Sequence, residues 1–300
     1  MREPPLMRLL ADGRRVHLHD GPIDLILEAW GTPAAVRAAH RAAAVRMNGL
    51  LDELCEELVI LRTAVGVGTP QPAGPVALRM WNAVRPYADE CFITPMAAVA
   101  GAVAEAVLAE MAAAASLDRA YVNNGGDIAL LLAPGESFTT GIVDRPDHPS
   151  LIGTARIASE DEVRGIATSG RHGRSFSFGI ADAVTVLART AADADAAATL
   201  IANAVDLPDH PDIVRVPADS LDPNSDLGDR PVTRDVPVLL GVERDCALEA
   251  GLHRAAGLIA RGQIVAASLH LQGVTRTIGN LDHAAATHQE TESVRRMHHA

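Results

Sequence analysis

The stretch from Arg164 to Val205 constrains this chain more than any other: a loop crowded with Gly, Ser, Thr and Arg, then a strand over Ala183–Ala188, then a helix built almost entirely of alanine. Within that helix Asp195, Thr199 and Asn203 recur at i, i+4 and i+8, which sets three polar side chains along one stripe. Their neighbours, Ala194, Ala196, Ala197, Ala198, Leu200, Ile201 and Ala202, predict a largely buried helix. A buried carboxylate without a partner neutralises or costs several kcal/mol. Asp195 therefore needs a cation, a cluster of donors, or water. The preceding loop supplies donors in Arg164, Thr168, Ser169, Arg171, His172, Arg174, Ser175 and Ser177. Amides around Gly170 and Gly173 can form an anion-binding nest, and Arg171 and Arg174 can each grip a phosphate with two parallel hydrogen bonds. Thr190 and Asp193 are spaced as a capping box at the start of the helix. A carboxylate and a hydroxyl one turn apart, Asp195 and Thr199, suit a hard cation such as Mg²⁺, which shares its remaining positions with water and phosphate oxygens. Loop and helix together read as a Mg²⁺–phosphate-ester site. The competing reading satisfies Asp195 and Thr199 with buried hydrogen bonds and leaves the arginines solvated.

Composition narrows the partners. The net charge is 26 − 38 = −12, and every fixed cation is Arg because the chain has no Lys. An acidic balance disfavours nucleic acid and anionic membranes, and the missing Lys excludes Schiff-base and Walker-type chemistry. Aromatics at 3% leave few stacking platforms for bases, so the core of these 300 residues must be Ala, Val, Leu and Ile. Cys55, Cys91 and Cys246 form no CxxC pair and read as reduced, buried thiols of a cytoplasmic protein. No signal peptide is expected from MREPPLMRLLADGRR, and Glu105 and Glu110 interrupt the longest apolar run.

Along the chain, Asp20-Gly21 marks a hairpin inside VHLHDGPIDLILEA. His17 and His19 share one face of its first strand; an H-x-H pair can bind metal, but with no third ligand evident the expectation is a solvated face. Pro33–Arg62 is expected as one long helix capped by Thr32, followed by a loop at residues 65–75 that could subdivide a single domain spanning residues 1–280. A short helix over Pro75–Val84 and another over Thr94–Ala115, with Thr94 as N-cap, come next. The small residues Ala97, Ala98, Ala100, Gly101 and Ala102 fit tight packing against another element. Asn123-Asn124-Gly125-Gly126-Asp127 is a turn between two apolar runs, with Asp127 either capping its own turn or facing a ligand. Short strands are expected over Ser137–Val143, Ile152–Ala158, Val163–Thr168, Val236–Val242 and Gly262–Leu271, with a helix over Cys246–Ala260. Leu207–Pro231 reads as an irregular connector and residues 281–300 as a disordered tail.

Three phrases then carry a family likeness: Val122-Asn123-Asn124-Gly125-Gly126-Asp127, Ile166-Ala167-Thr168-Ser169-Gly170, and Val184-Thr185-Val186 followed by Ala194-Asp195 to Thr199. They resemble the ApbE-like superfamily, whose best-known members are FAD:protein FMN transferases, and in particular a bacterial and archaeal branch of it. The resemblance covers roughly Thr94–Val205. It implies an α+β fold of antiparallel sheets flanked by Ala-rich helices, a flavin nucleotide (FAD) in a cleft, and Mg²⁺ held partly by Asp195 and Thr199. Asn124, Gly125, Gly126, Asp127, Thr168, Ser169, Gly170, Arg171 and Arg174 would then contact the phosphorylated ligand. Asp182 would stand near the acidic position of the family's His-x-Ile-Asp-Pro-x-Thr-Gly motif and could position or deprotonate an attacking group. That motif's His, Pro and Thr-Gly are missing, and Ala100-Gly101 stands where the family carries Lys-Gly. Two further readings stay open: a protein that binds a nucleotide or metabolite without turning it over, and a structural protein whose alanine helices pack against a partner or a second copy of itself.

Overall fold

The computed structural model describes residues 4–145 and 147–280. The strands are β1 (Leu6–Leu9), β2 (Val16–Asp20), β3 (Ile23–Trp30), β4 (Arg119–Asn124), β5 (Asp127–Leu132), β6 (Ser137–Val143), β7 (Leu151–Ala158), β8 (Gly165–Ser169), β9 (Ala183–Ala188), β10 (Val214–Pro217), β11 (Pro231–Asp235), β12 (Ala266–Leu271) and β13 (Val274–Gly279). The helices are α1 (Pro33–Met47), α2 (Leu50–Glu56), α3 (Leu58–Leu61), α4 (Pro75–Val84), α5 (Val99–Ala114), α6 (Ala191–Ala204), α7 (Ala218–Leu221) and α8 (Gly241–Ala260). Nine strands form one sheet in the order β1-β2-β3-β4-β5-β8-β9-β12-β13, and every pairing in it is antiparallel. The fold is α+β, as the family resemblance implies.

One face of the sheet buries its aliphatic residues under the helices, in a continuous core that includes Leu25, Leu27, Val122, Val184, Ala102, Val107 and Ile201. The other face carries a smaller cluster, Leu130, Ile166 and Leu187, against Ile142, Ala155 and Ile157 of the β6–β7 ribbon. β9 is buried at all six positions because both faces are covered.

Helix α6 is clasped at backbone distance. A Cβ on Gly101 of α5 would lie 2.2 Å from the Ala191 carbonyl oxygen, one on Gly165 of β8 would lie 2.1 Å from Thr190, and one on Gly179 would lie 2.1 Å from the Ala202 carbonyl oxygen. The small residues near Gly101 thus pack against this chain's own helix. Pro95–Ala114 is long and apolar enough to cross a membrane by length and composition. Its buried face, Ala102, Val103, Ala106, Val107 and Met111, belongs to the core.

Several sequence expectations give way. Pro33–Arg62 is three helices, because Gly49 adopts φ 79° between α1 and α2 and Glu57 leaves helical geometry before α3. Thr94 does not cap a helix: residues Pro95–Ala98 form a 3-10 turn, and the Thr94 hydroxyl donates to Asp226. The connector contains an ordered ribbon, β10–β11, and Val236–Val242 is no strand but leads into α8. The three cysteines are free, as expected, yet Cys55 and Cys246 are exposed, being on the outward faces of α2 and α8. Strand β1 escapes the patterning because it is an edge strand exposed throughout. The expected disordered tail lies outside the described residues.

Candidate functional site

Asp195 is held by a neighbouring helix. The first turn of α5 has no side-chain cap, since Ala98 occupies that position. Asp195 supplies one from α6: the Gly101 amide donates to its Oδ2 at 3.0 Å, and the Ala100 amide adds to this. In return Glu105 of α5 accepts from the Ala192 amide in the first turn of α6, at 2.8 Å, and pairs with Arg79. The two helices exchange capping carboxylates, which satisfies amides that a helix end leaves open.

Capping alone does not settle Asp195. Burial pushes its carboxyl well above the usual range, and the Asp127 carboxylate pushes it further against the pull of the α5 amides. A solvent-facing edge on Asp195 tempers the burial. Asp127 stands at the base of the β4–β5 hairpin and is itself raised, to about 7, chiefly by burial; the Thr168 amide and the Arg174 charge oppose this. The turn is capped by Asn123, whose Oδ1 accepts from the Gly126 amide at 2.8 Å. Asp127 therefore points inward and accepts from the Thr168 amide on β8 at 3.1 Å. Asn124 joins them by donating to the Ala100 carbonyl at 3.2 Å. The fold thus gathers two carboxylates, from β5 and α6, at the N-terminus of α5.

The other members of the stripe differ in employment. Thr199 is partly exposed and makes no side-chain hydrogen bond among the described residues. Asn203 ties down the glycine-rich loop, its Oδ1 accepting from the Ser177 hydroxyl at 3.1 Å and the Phe178 amide at 2.9 Å. Thr190 caps α6 through the Asp193 amide at 3.1 Å.

The loop itself divides. The Thr168 hydroxyl bonds Thr185 on β9. Ser169 ends β8 with its side chain partly exposed, and Gly170 takes φ 149° where the chain presses on the Asp182 carbonyl. The Arg171 amide donates to Ala181 and the Gly173 amide to Gly170, so these nest amides are occupied. The Arg171 guanidinium is paired with Asp182 at 2.7 Å. Asp182 also takes His172 at 3.1 Å and the Gln272 amide at 2.5 Å. With donors on both oxygens, Asp182 is a buried anchor that orders the loop. Arg174, by contrast, is exposed and lies over Gly125. With Gly125, Gly126, Asn123, Asp24 and Ile26 it lines a shallow depression of about 340 Å³. Patterning missed His172 and Gln272 as partners of Asp182, and Asp24 as a lining residue.

A family model described as "AbpE bacteria" matches residues 7–277. The chain belongs to the AbpE bacteria family. It is also similar to curated UPF0280 proteins of archaea. It is 39% identical to one of Methanopyrus kandleri over 56% of this chain and 65% of that protein. Against one of Methanosarcina acetivorans it is 33% identical over 60% of this chain and 69% of that protein. Against one of Methanothermobacter thermautotrophicus it is 38% identical over 45% of this chain and 51% of that protein. The matches span about half to two thirds of the length of these relatives. In this AbpE bacteria family member the two raised carboxyls, Asp127 and Asp195, and the exposed Arg174, whose charge acts on Asp127, keep unused chemical capacity.

Proposed function

We propose that the chain binds a phosphorylated small molecule, FAD by its resemblance to ApbE-like proteins, together with Mg²⁺ held by Asp195, Thr199 and Asp127. The observation that carries this reading is the gathering of two buried carboxyls, Asp127 of β5 and Asp195 of α6, at the N-terminus of α5, where each is pushed up by burial and Asp127 pushes Asp195 further. Two acids that resist ionising beside each other are relieved by a divalent cation placed between them, and their oxygens with the Thr199 hydroxyl form the hard donor set that Mg²⁺ takes. Bound Mg²⁺ would neutralise charge on a pyrophosphate. Arg174 would hold a phosphate at the mouth of the site, and the Thr168 segment would wall one side. Arg171, neutralised by Asp182, would order the loop.

The reaction class this supports is cleavage or transfer at a pyrophosphate bond, either FMN transfer or FAD hydrolysis. A second reading, binding without turnover, is favoured by the same geometry at Asp182. Its oxygens are saturated by Arg171, His172 and the Gln272 amide, which leaves it poorly placed to take a proton from an attacking group. Incubating the protein with FAD and Mg²⁺ and assaying AMP separates the two: AMP formation supports the enzyme, and Mg²⁺-dependent binding without AMP supports the second reading. Asp195→Asn, which keeps an oxygen for the Gly101 amide but removes the charge, is expected to abolish Mg²⁺-dependent binding. Unchanged binding in that variant overturns the metal assignment.

A further inference from the structure

The β2–β3 hairpin carries a second cluster that the Mg²⁺–phosphate reading does not use. His17 and His19 leave the same face of β2, and the tight turn at Gly21 sets the register that brings Asp24 opposite His19. His17 Nε2 lies 2.8 Å from Asp24 Oδ1, and His19 Nδ1 lies 3.7 Å from Asp24 Oδ2. One ligand atom from each of the three residues falls within 4.8 Å of the others. The third ligand that the sequence lacked is therefore supplied by the neighbouring strand.

We propose that His17, His19 and Asp24 form a binding site for a divalent transition metal of the Zn²⁺ class. Two imidazoles and one carboxylate make the donor set of an open tetrahedral site, with three protein ligands and one position left for water or a ligand atom. A cross-strand hydrogen bond accounts for His17 and Asp24, but at 3.7 Å from Asp24 the His19 Nδ1 makes no hydrogen bond, and it is buried with no other hydrogen-bond partner among the described residues. A buried ring nitrogen without a partner is unfavourable until something binds it, and a metal would. Metal–ligand bonds near 2 Å put tetrahedral ligand atoms about 3.3 Å apart, so the widest separation, within 4.8 Å, closes by roughly 1.5 Å at most while the 2.8 Å His17–Asp24 pair opens by about 0.5 Å. Side-chain torsions can supply that movement while the paired strands hold the backbone. Asp24 also lines the depression shared with Arg174, Gly125 and Gly126. The ion would stand at its edge, beside a guanidinium, where the open position could take an oxygen of an anionic ligand.

The test is titration of the full chain with Co²⁺, followed by the visible absorption of four-coordinate Co²⁺, with Zn²⁺ displacement as the second readout. Wild-type protein should show the band and lose it to Zn²⁺. The His17→Ala/His19→Ala double variant and Asp24→Ala should each bind at least tenfold more weakly and lack the band. Asp195→Asn should keep it, which separates this site from the proposed Mg²⁺ site. His283, His288, His298 and His299, near the end of the chain, are present in every variant, so any Co²⁺ they take is common to all and the comparison reads the difference. If the double variant loses its far-ultraviolet circular dichroism, His19→Gln, at a side chain 43% exposed, replaces it. An undiminished band and affinity in Asp24→Ala and in the histidine variants overturns the proposal.

Discussion

The paired carboxyls make a sharp prediction about stability. Asp127 is raised from 3.8 to about 7 in the folded chain, so the folded state holds a proton that the unfolded state releases between those values. Protons bound preferentially by the folded state mean that stability is full near pH 4, falls as pH rises, and levels off above about pH 7. At about 1.4 kcal/mol per pKa unit, an upper bound for the loss is roughly 4 kcal/mol. Because Asp195 titrates with Asp127, removing one acid recovers a share of this, on the order of 2 kcal/mol. Asp127→Asn keeps an oxygen for the Thr168 amide and removes the charge. In urea unfolding without divalent ions it should be more stable than wild type at pH 8, by about that amount, and equal to wild type at pH 4. Mg²⁺ at pH 8 should stabilise the wild type by mass action and close the gap, since the variant has lost a ligand. The reasoning fails if Asp127→Asn is no more stable at pH 8, or if its advantage is the same at both pH values.

Other consequences can be checked alongside. Gly101→Ala places a methyl 2.2 Å from the Ala191 carbonyl oxygen; α5 and α6 must part, and urea unfolding should show a loss of about 1–3 kcal/mol. Asp182→Asn leaves the Arg171 guanidinium, 18% exposed, without its counter-charge, and thermal unfolding should show a loss of about 3 kcal/mol. Arg174→Ala removes an exposed cation; its melting temperature should match wild type, while calorimetric affinity for FAD or another phosphorylated ligand drops about tenfold or more.

What the sequence made legible is what short-range chemistry decides. The alanine helix, its Thr190 cap, strand β9 and the hairpin turns at Gly21 and Gly125-Gly126 follow from periodicity and turn residues within a few positions. The break at Gly49 hid inside a strong helical pattern, because a single glycine is compatible with a helix until tertiary packing bends the chain there. Strand β12 begins at Ala266 and not at Gly262, because the chain turns at Gly262, φ 67°, on leaving α8 before the strand starts. One site element could have been found from the sequence. A tight turn at Gly21 pairs Asp20 with Ile23 and so His19 with Asp24, but that inference needs the hairpin register and not merely the H-x-H spacing.

The partners of the buried acids lay beyond such reasoning. Gly101 and Asp195 are 94 residues apart, and Asp182 and Gln272 are 90 apart. Asp182 and Asp195 look alike in the sequence: each is an aspartate flanked by alanines in the same forty-residue stretch. Their surroundings give them opposite capacities. Asp182 meets a guanidinium, an imidazole and an amide, so its charge is already balanced and a ligand would have to break that network to use it. Asp195 meets helix amides and a second carboxylate, so its charge is opposed, and a cation is the partner that would improve its position. The assignment of binding to Asp195 and of anchoring to Asp182 therefore rests on which neighbours each acid acquires through the fold.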